Sequence, residues 1–384
     1  MLQPTVAKIR LDHLRHNLRT LRQQVNDDLF FCPMVKADAY GHGAVQVSKV
    51  LIDENVSYLG VTRIEEAQEL RSAGFSAVNI LLFDPLIDES AAQTIVNERI
   101  TPVVSNWDSL QVLLKAAVRH PISVHIKLNT GMNRLGFQLG DALAISDFFK
   151  SNTQLKLEGL CSHLLSSEDY GTDGSRTKNQ IERFNSVLPV FSGLKLKIHL
   201  LNSGGIIALA SHREKNTILG ARPGLSLYGI KAPLLTDDSE VQARWASIEL
   251  KPVMQVESVV SHIQKIAKGQ TVSYGGQFIA ERDSTIVVLP IGYADGYTRH
   301  FSNKGKMLFR GHEVGVSGIV CMDFTMLDVT ELDKLNACRL GEPVIVLGEQ
   351  DQRKLTALDL AGRINTNAYE ILTNFSSRIP RVYT

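Results

Sequence analysis

Over roughly the first 230 residues, short apolar or β-branched runs alternate with longer stretches whose apolar positions recur at helical spacing. The strand-like runs cover residues 29–35, 57–61, 78–83, 101–104, 122–128, 157–163, 196–201 and 217–221. Between the second and third, Ile64, Ala67 and Leu70 repeat at three-residue intervals, which predicts an amphipathic helix over 63–73. Such alternation predicts βαβ units and a parallel sheet. Eight strand-plus-helix units in about 200–250 residues fit a (β/α)8 barrel of the TIM type better than a doubly wound sheet. The GxGxxG fingerprint of a dinucleotide fold is absent.

The pattern changes after Gly229. Residues 231–244 are polar and charged, with Pro233 and Asp237-Asp238, and read as a linker. Beyond them, 253–262, 285–291, 306–309, 314–320 and 343–347 are short strands broken by glycines, which predicts a mostly antiparallel β domain. The opening run 5–11 alternates polar and apolar residues before a helical stretch at 12–24. The expected organisation is therefore a strand within 1–11 that joins the C-terminal sheet, a barrel over 12–235 and a β domain over 236–384.

Composition narrows the function classes. A length of 384 residues exceeds the ~100–200 usual for one domain. Lys plus Arg number 41 against 40 for Asp plus Glu, a net charge of +1, which argues against a nucleic-acid partner. No run approaches the ~20 apolar residues of a membrane span, so no membrane partner is expected. The opening residues Met1-Leu2-Gln3-Pro4-Thr5 lack a basic segment followed by an apolar core, so no secretory signal is read there. Cys32, Cys161, Cys321 and Cys338 are widely spaced and form no metal-like cluster, so no metal is expected. A reducing, cytoplasmic setting is the simplest reading.

In a barrel, residues just past each strand face the active site. Here these are Lys36, Lys127 with Arg134, His163, Asn202-Ser203, and Arg222 ahead of Pro223-Gly224. Lys36 ends an apolar run, where desolvation lowers an amine's proton affinity and frees it for Schiff-base chemistry. The alternative at that position is a lysine that snorkels to water. Ser203-Gly204-Gly205 and Gly224-Leu225-Ser226 follow the last two strands, where barrels commonly bind phosphate through backbone N–H groups. They could equally be two glycine turns. A Schiff-base lysine and a phosphate site together suggest pyridoxal 5'-phosphate, which carries both an aldehyde and a phosphate.

At this point the residues resemble a known family. Val35-Lys36-Ala37-Asp38-Ala39-Tyr40-Gly41-His42-Gly43 closely resembles the pyridoxal-phosphate attachment motif of the alanine racemases, fold-type III barrel enzymes. Lys127-Leu128-Asn129-Thr130-Gly131-Met132-Asn133-Arg134-Leu135-Gly136 is similar to the family's KxDTGMxRLG segment. Residues 222–229, 272–276, 290–297, 318–323 and 363–370 resemble further motifs in the same order, so the likeness spans both expected domains.

The resemblance implies an isomerase that interconverts L- and D-alanine, a cytoplasmic homodimer with shared active sites, and a product used for peptidoglycan. By similarity, Lys36 holds the cofactor as a Schiff base and acts as one acid–base group. Tyr274 of the partner subunit would be the opposing base, which suits a reaction needing proton removal and delivery on opposite faces. His163 would assist Tyr274, and Arg222 would face the cofactor's ring nitrogen. A guanidinium stays protonated, so that nitrogen would stay unprotonated and the cofactor would be a weaker electron sink.

The other carried-over roles are distributed as follows. Tyr40, Ser203, the backbone at Gly224 and Leu225, and Tyr369 match the phosphate contacts, with Asn202 orienting the Ser203 loop. Arg134 and Met322 match contacts to the substrate carboxylate. Tyr293, with Tyr369, matches the narrow substrate entrance. Lys127 matches a lysine often modified to N-carboxylysine, which would make it attractive to Arg134. Asn129 and Ile319 depart from residues common in the family, Asp and Arg respectively, while Arg299 retains an entrance arginine. The competing readings are a broader-specificity amino-acid racemase, an amino-acid decarboxylase of similar architecture, and a non-catalytic pyridoxal-phosphate-binding protein.

Overall fold

Where a strand is buried at every position, both faces of its sheet are covered; alternating burial leaves one face towards water. Both kinds occur in this chain. Strand β1 (Val6–Ile9) alternates half-buried with buried positions. Seven strands then run parallel in chain order in one sheet: β2 (Tyr58–Val61), β3 (Asn79–Leu82), β4 (Ile100–Val104), β5 (Ile122–Lys127), β6 (Leu155–Cys161), β7 (Lys197–Leu201) and β8 (Gly220–Ala221). All five residues of β4 are buried. The computed structural model describes residues 4–25, 28–117, 121–170, 174–209 and 219–384.

The segment expected as the first barrel strand closes this sheet on itself. Phe31 bridges Ala221 of β8 and Met34 bridges Gly60 of β2. The Cys32 N–H donates to the Ala221 carbonyl (2.9 Å), and Val35 and Gly60 exchange with the Gly60 and Pro33 carbonyls at 2.9 Å each. Pro33 has no N–H, so the pairing is a set of bridges instead of a continuous ladder. The result is the α/β barrel that the alternation predicts. Of the last expected strand, Thr217 and Ile218 lie outside the described residues, as do Met1–Gln3 at the start.

Helices follow the strands, and several start on side-chain caps. Asp88 accepts from Ala91 N–H at the head of Glu89–Asn97, and Asn106 from Ser109 N–H at the head of Trp107–Ala116. Residues 231–244 are not an open linker. Asp238 caps a helix, Ser239–Ser247, and Lys231 Nζ donates to the carbonyls of Trp245 (2.6 Å) and Ile248 (2.8 Å). This stretch stays with the barrel unit, which comprises the described residues of Leu14–Ala39 and Ala44–Lys251.

The second unit takes in the described residues up to His13, the short segment Tyr40–Gly43, and Pro252–Thr384. Its strands are β9 (Met254–Val259), β10 (His262–Ile266), β11 (Thr271–Val272), β12 (Phe278–Ile279), β13 (Ser284–Leu289), β14 (Lys306–Phe309), β15 (His312–Gly315), β16 (Thr325–Asp328), β17 (Pro343–Gln350), β18 (Arg353–Leu355) and β19 (Arg381–Tyr383). Strand β1 lies in its main sheet, antiparallel to β9 with Ala7 opposite Val256, and parallel to β19 with Lys8 opposite Val382. The remaining order there is β15-β14-β17-β9, and β10-β13-β16 form a second, antiparallel sheet. Among the described residues, no helix is long and apolar enough to cross a membrane.

Candidate active site

Lys36 begins an unusual turn. Ala37, Asp38, Ala39 and Tyr40 all lie in the left-handed region, with φ of 52°, 52°, 52° and 56°, and Gly41 follows at 81°. Each such non-glycine residue costs about 1–2 kcal/mol, so the turn persists only because neighbours hold it. The Ala39 N–H donates to the Val35 carbonyl (2.8 Å), Ala44 N–H to Asp38 Oδ1 (2.6 Å) and Ala37 N–H to Glu66 Oε1 (2.6 Å). Burial lowers the proton affinity of the Lys36 amine; Arg134 and Arg222 lower it further, and Glu66 opposes them.

Arg222 is buried at the end of β8, and its guanidinium is ringed by uncharged acceptors. Nη1 donates to the His199 carbonyl (2.7 Å) and to His199 Nδ1 (2.6 Å). Nη2 donates to the Ser162 carbonyl (2.7 Å) and to His163 Nδ1 (3.3 Å). All four Nη hydrogens are thus committed, and among the described residues the Nε–H has no partner. A guanidinium only donates, so both histidines accept at Nδ1 and carry their own proton on Nε2. Burial, followed by Arg222, holds both well below the usual histidine range, so both are neutral. His199 Nε2 then donates to His125 Nδ1 (2.7 Å), deeper in the barrel, where burial pushes the ring down to about 3. His125 Nε2 is buried with no hydrogen-bond partner among the described residues.

Lys127 ends β5, and burial, with the cations Arg222, Arg134 and Lys36, pulls it down to about 8 despite an opposing effect of Cys161. Past it the chain folds back, with Phe137 N–H donating to the Lys127 carbonyl (2.9 Å). Gly136 has φ 125°, and a Cβ there would stand 2.7 Å from the Asn129 nitrogen, so only glycine fits. Asn129 organises the turn: its Oδ1 accepts from Gly131 N–H (3.1 Å) and Asn133 N–H (3.0 Å), and its Nδ2 donates to Asn133 Oδ1 (2.9 Å). The last bond needs an amide, which gives the departure at 129 a local reason. Arg134 is exposed, and among the described residues its guanidinium has no hydrogen-bond partner.

The loops after β7 and β8 are tied together. Ser203 Oγ accepts from Gly224 N–H (3.0 Å) and Ser226 N–H (3.1 Å), which leaves its own O–H free to donate elsewhere. Asn202 Oδ1 accepts from Gly205 N–H (2.9 Å) and its Nδ2 donates to the Leu164 carbonyl (3.2 Å), joining this loop to the one after β6. Leu225 is buried at the start of the turn Leu225–Tyr228, and Tyr228 donates to the Met34 carbonyl (2.8 Å), two residues ahead of Lys36. The barrel unit thus gathers Lys36, Lys127, Arg134, His163 and Arg222 around the joined loops of Asn202, Ser203, Gly224 and Leu225. A donor-only cation, a weakly basic amine and a hydroxyl freed to donate suit a ligand with a ring nitrogen, an aldehyde and a phosphate.

The β-rich unit holds the other candidates. Tyr274 is 69% exposed on a turn where Ser273, Gly275 and Gly276 have φ of 68°, 68° and 56°. Ser273 Oγ donates to the Ile319 carbonyl (2.7 Å), and Ile319 itself is buried. Tyr293 and Met322 sit on two strands of backbone bonded to each other, Tyr293 N–H to the Cys321 carbonyl and Ala294 N–H to that of Met322, both at 3.0 Å. A Cβ at Gly292 would run into the Met322 carbonyl. Met322, Tyr293 and Tyr369 are exposed. The rings of Tyr40 and Tyr369 stand 6.0 Å apart, centre to centre.

Strand-end reasoning missed His199, His125 and Glu66. Two of these left a trace: His125 lies two residues before Lys127 on the same face of β5, and His199 interrupts an apolar strand.

Comparison with known proteins follows the same division. The family model described as "Alanine racemase, N-terminal domain" matches residues 9–232, and "Alanine racemase, C-terminal domain" matches 253–383. Alanine racemase 1 of Clostridium acetobutylicum is 36% identical, covering 100% of this chain and 96% of that protein. The alanine racemase of Halothermothrix orenii is 33% identical, covering 99% and 97%. Among solved structures, alanine racemase of Clostridium difficile 630 superposes with a TM-score of 0.88 at 32% identity, covering 100% and 96%. The biosynthetic alanine racemase of Pseudomonas aeruginosa gives 0.84 at 30%, covering both chains fully.

Proposed function

The chain belongs to the alanine racemase family, and from that premise we propose that it interconverts L- and D-alanine with pyridoxal 5'-phosphate held by Lys36. When bound, that cofactor withdraws electrons from the substrate's α-carbon and so acidifies its C–H bond.

The observation that supports the reading most is Arg222. With its Nη groups committed to His199, Ser162 and His163, only Nε–H is left, and a donor can meet only an unprotonated ring nitrogen. An arginine in that role moderates the electron withdrawal, which favours returning a proton over other fates of the substrate. Lys36, with its proton affinity lowered by burial, can give and take a proton on one face. Tyr274 is the second base, brought by a partner subunit; its exposure on a stiff glycine turn fits a group that completes a site in another copy. His163, neutral and accepting at Nδ1 from Arg222, has Nε2–H to offer that tyrosine. Ser203, the backbone of Gly224 and Leu225, Tyr40 and Tyr369 hold the phosphate, with Asn202 fixing the Ser203 loop. Arg134 and Met322 hold the carboxylate, and Tyr293 lines the entrance. The D-alanine formed would supply peptidoglycan synthesis.

The test is an assay of enantiomer ratios on a panel of L-amino acids, run beside Lys36→Ala. Racemisation confined to alanine, and lost by at least about a thousandfold in the variant, is the expected result. Turnover across the panel would mean a broad racemase, loss of the carboxyl group a decarboxylase, and no turnover a carrier.

A further inference from the structure

We propose that Glu66 is a positioning residue for Lys36: its carboxylate clamps the backbone immediately after the lysine to the turn after β2, and so fixes the direction of the amine. The proposal rests on Lys36 being the lysine that holds the cofactor.

Glu66 is the third residue of the helix Ile64–Ser72. A glutamate at this position ordinarily reaches back to one cap N–H. Here Oε2 takes two, from Thr62 (2.8 Å) and Arg63 (3.0 Å), and Oε1 reaches a separate segment to take the Ala37 N–H at 2.6 Å. Charge-assisted bonds of this length to backbone N–H groups are strong and directional. Ala37 is the first left-handed residue of the turn, in a conformation its side chain disfavours. It is exposed, so water could satisfy its N–H, but water would not hold the segment in one place. The clamp therefore joins the end of the first barrel segment, one residue past Lys36, to the end of its neighbour.

The carboxylate also supplies charge. Lys36 is faced by Arg134 from the loop after β5 and Arg222 from the end of β8, both of which oppose its protonation; Glu66 favours it. Lys127 and His163 lie within reach of the same amine. Glu69, one turn on along the same helix, has its carboxyl raised by burial first and then by Asp38 and Glu66. Glu66 thus acts on the cationic amine of Lys36 and on the acidic Glu69 alike.

The test uses the full-length chain in three variants: Glu66→Gln, Glu66→Asp and, as a control on the same helix, Glu65→Gln. In cofactor-free protein with 13C-methylated lysines, the Lys36 resonance is assigned by its loss in Lys36→Ala and titrated by NMR. The expected result is a lower Lys36 midpoint in Glu66→Gln and an unmoved one in Glu65→Gln. With cofactor and alanine, Glu66→Gln should lose about tenfold in kcat with little change in KM, because the amine is misdirected while substrate contacts persist. Glu66→Asp, which keeps the charge, should recover part of both readouts. An unmoved midpoint, or a kcat loss fully accounted for by the unfolded fraction in thermal melts, would overturn the clamp. A lowered midpoint in a chain that racemises nothing would sustain the clamp and overturn the proposed function.

Discussion

The barrel unit and the β-rich unit prepare their candidate residues in opposite ways. Inside the barrel, Arg222 is buried, four of its N–H hydrogens are spent on protein acceptors, and two lysines have lost proton affinity to burial. In the β-rich unit, Tyr274, Tyr293, Met322 and Tyr369 are all exposed, and their rigidity comes from the backbone: left-handed glycines, and carbonyls that accept from neighbouring N–H groups. The first region is electrically finished within its own fold. The second is stiff in its backbone but leaves large apolar side chains in water, a cost that folded chains tolerate where another surface covers them. Preorganisation of charge and preorganisation of position are separate achievements, and this chain divides them between its two units.

The sharpest way to break that division is Tyr274→Phe. The change removes one hydroxyl from an exposed turn and leaves the barrel's charges untouched. If the tyrosine is the opposing base, exchange of the α-proton of L-alanine with deuterated solvent should fall by about 10²–10⁴-fold, while the bound cofactor's absorbance stays as in the unmodified protein. Exchange at the normal rate would remove Tyr274 from the chemistry. The same contrast is sharpened by dilution: if a second copy supplies the tyrosine, activity per chain should fall as dimers dissociate, and cofactor absorbance should fall less.

The two units also differed in how far their sequences revealed them. Barrel strands are legible because apolar runs alternate with helical spacing, and five of the eight run ends, at Lys36, Lys127, His163, Asn202 and Arg222, carry residues suited to chemistry and define a rim. What lay behind the rim was not. His199 and His125 are inside strands, and their importance depends on Arg222 having no carboxylate to meet. The left-handed turn over Ala37–Tyr40 has no local signature, since three of its four residues favour right-handed helix or strand, and Glu66 has a visible role only once that turn exists. The helix Ser239–Ser247 read as linker because it buries only Val241 and follows a polar stretch with Pro233 and Asp237-Asp238. In the β-rich unit, Tyr274 and Met322 stood out only through the family's motifs; nothing in their hydropathy separates them from core residues.

A smaller effect probes the barrel's side of the contrast. Only a neutral amine can take up carbon dioxide, and with Lys127 down to about 8, roughly one-tenth of it is neutral at pH 7 and about half at pH 8. At constant carbon dioxide pressure, the carbamate on Lys127 should therefore increase as pH rises through about 8 and disappear below about 6. 13C NMR on protein equilibrated with labelled carbon dioxide reads this directly, with Lys127→Ala as the blank. The added anion beside Arg134 should lower KM for alanine more than it changes kcat, since it orders a binding group and moves no proton. Carbamate formation at fixed carbon dioxide steepens below the amine's own midpoint, so a signal whose pH dependence shows no break near about 8 would mean that burial does not tune Lys127.

The smallest expected effect asks whether charge or position matters more where the two meet, on the turn past β5. Asn129→Asp restores the residue common in the family and adds a negative charge near Lys127, yet it removes the Nδ2–H that donates to Asn133 Oδ1. An aspartate would keep the two backbone bonds from Gly131 and Asn133 and place its second oxygen against another oxygen. The turn is partly solvated, so the loss should be about 0.5–1 kcal/mol in chemical denaturation. Asn129→Asp combined with Asn133→Gly removes the opposing oxygen, and Asn133 has φ 54°, which glycine adopts freely. The double variant should regain that stability and carry more carbamate on Lys127 at any given pH only if the gain from position exceeds the repulsion between two anions. If the single variant is already as stable as the unmodified chain, the amide at 129 is not what holds the turn, and the departure at that position has no structural cause here.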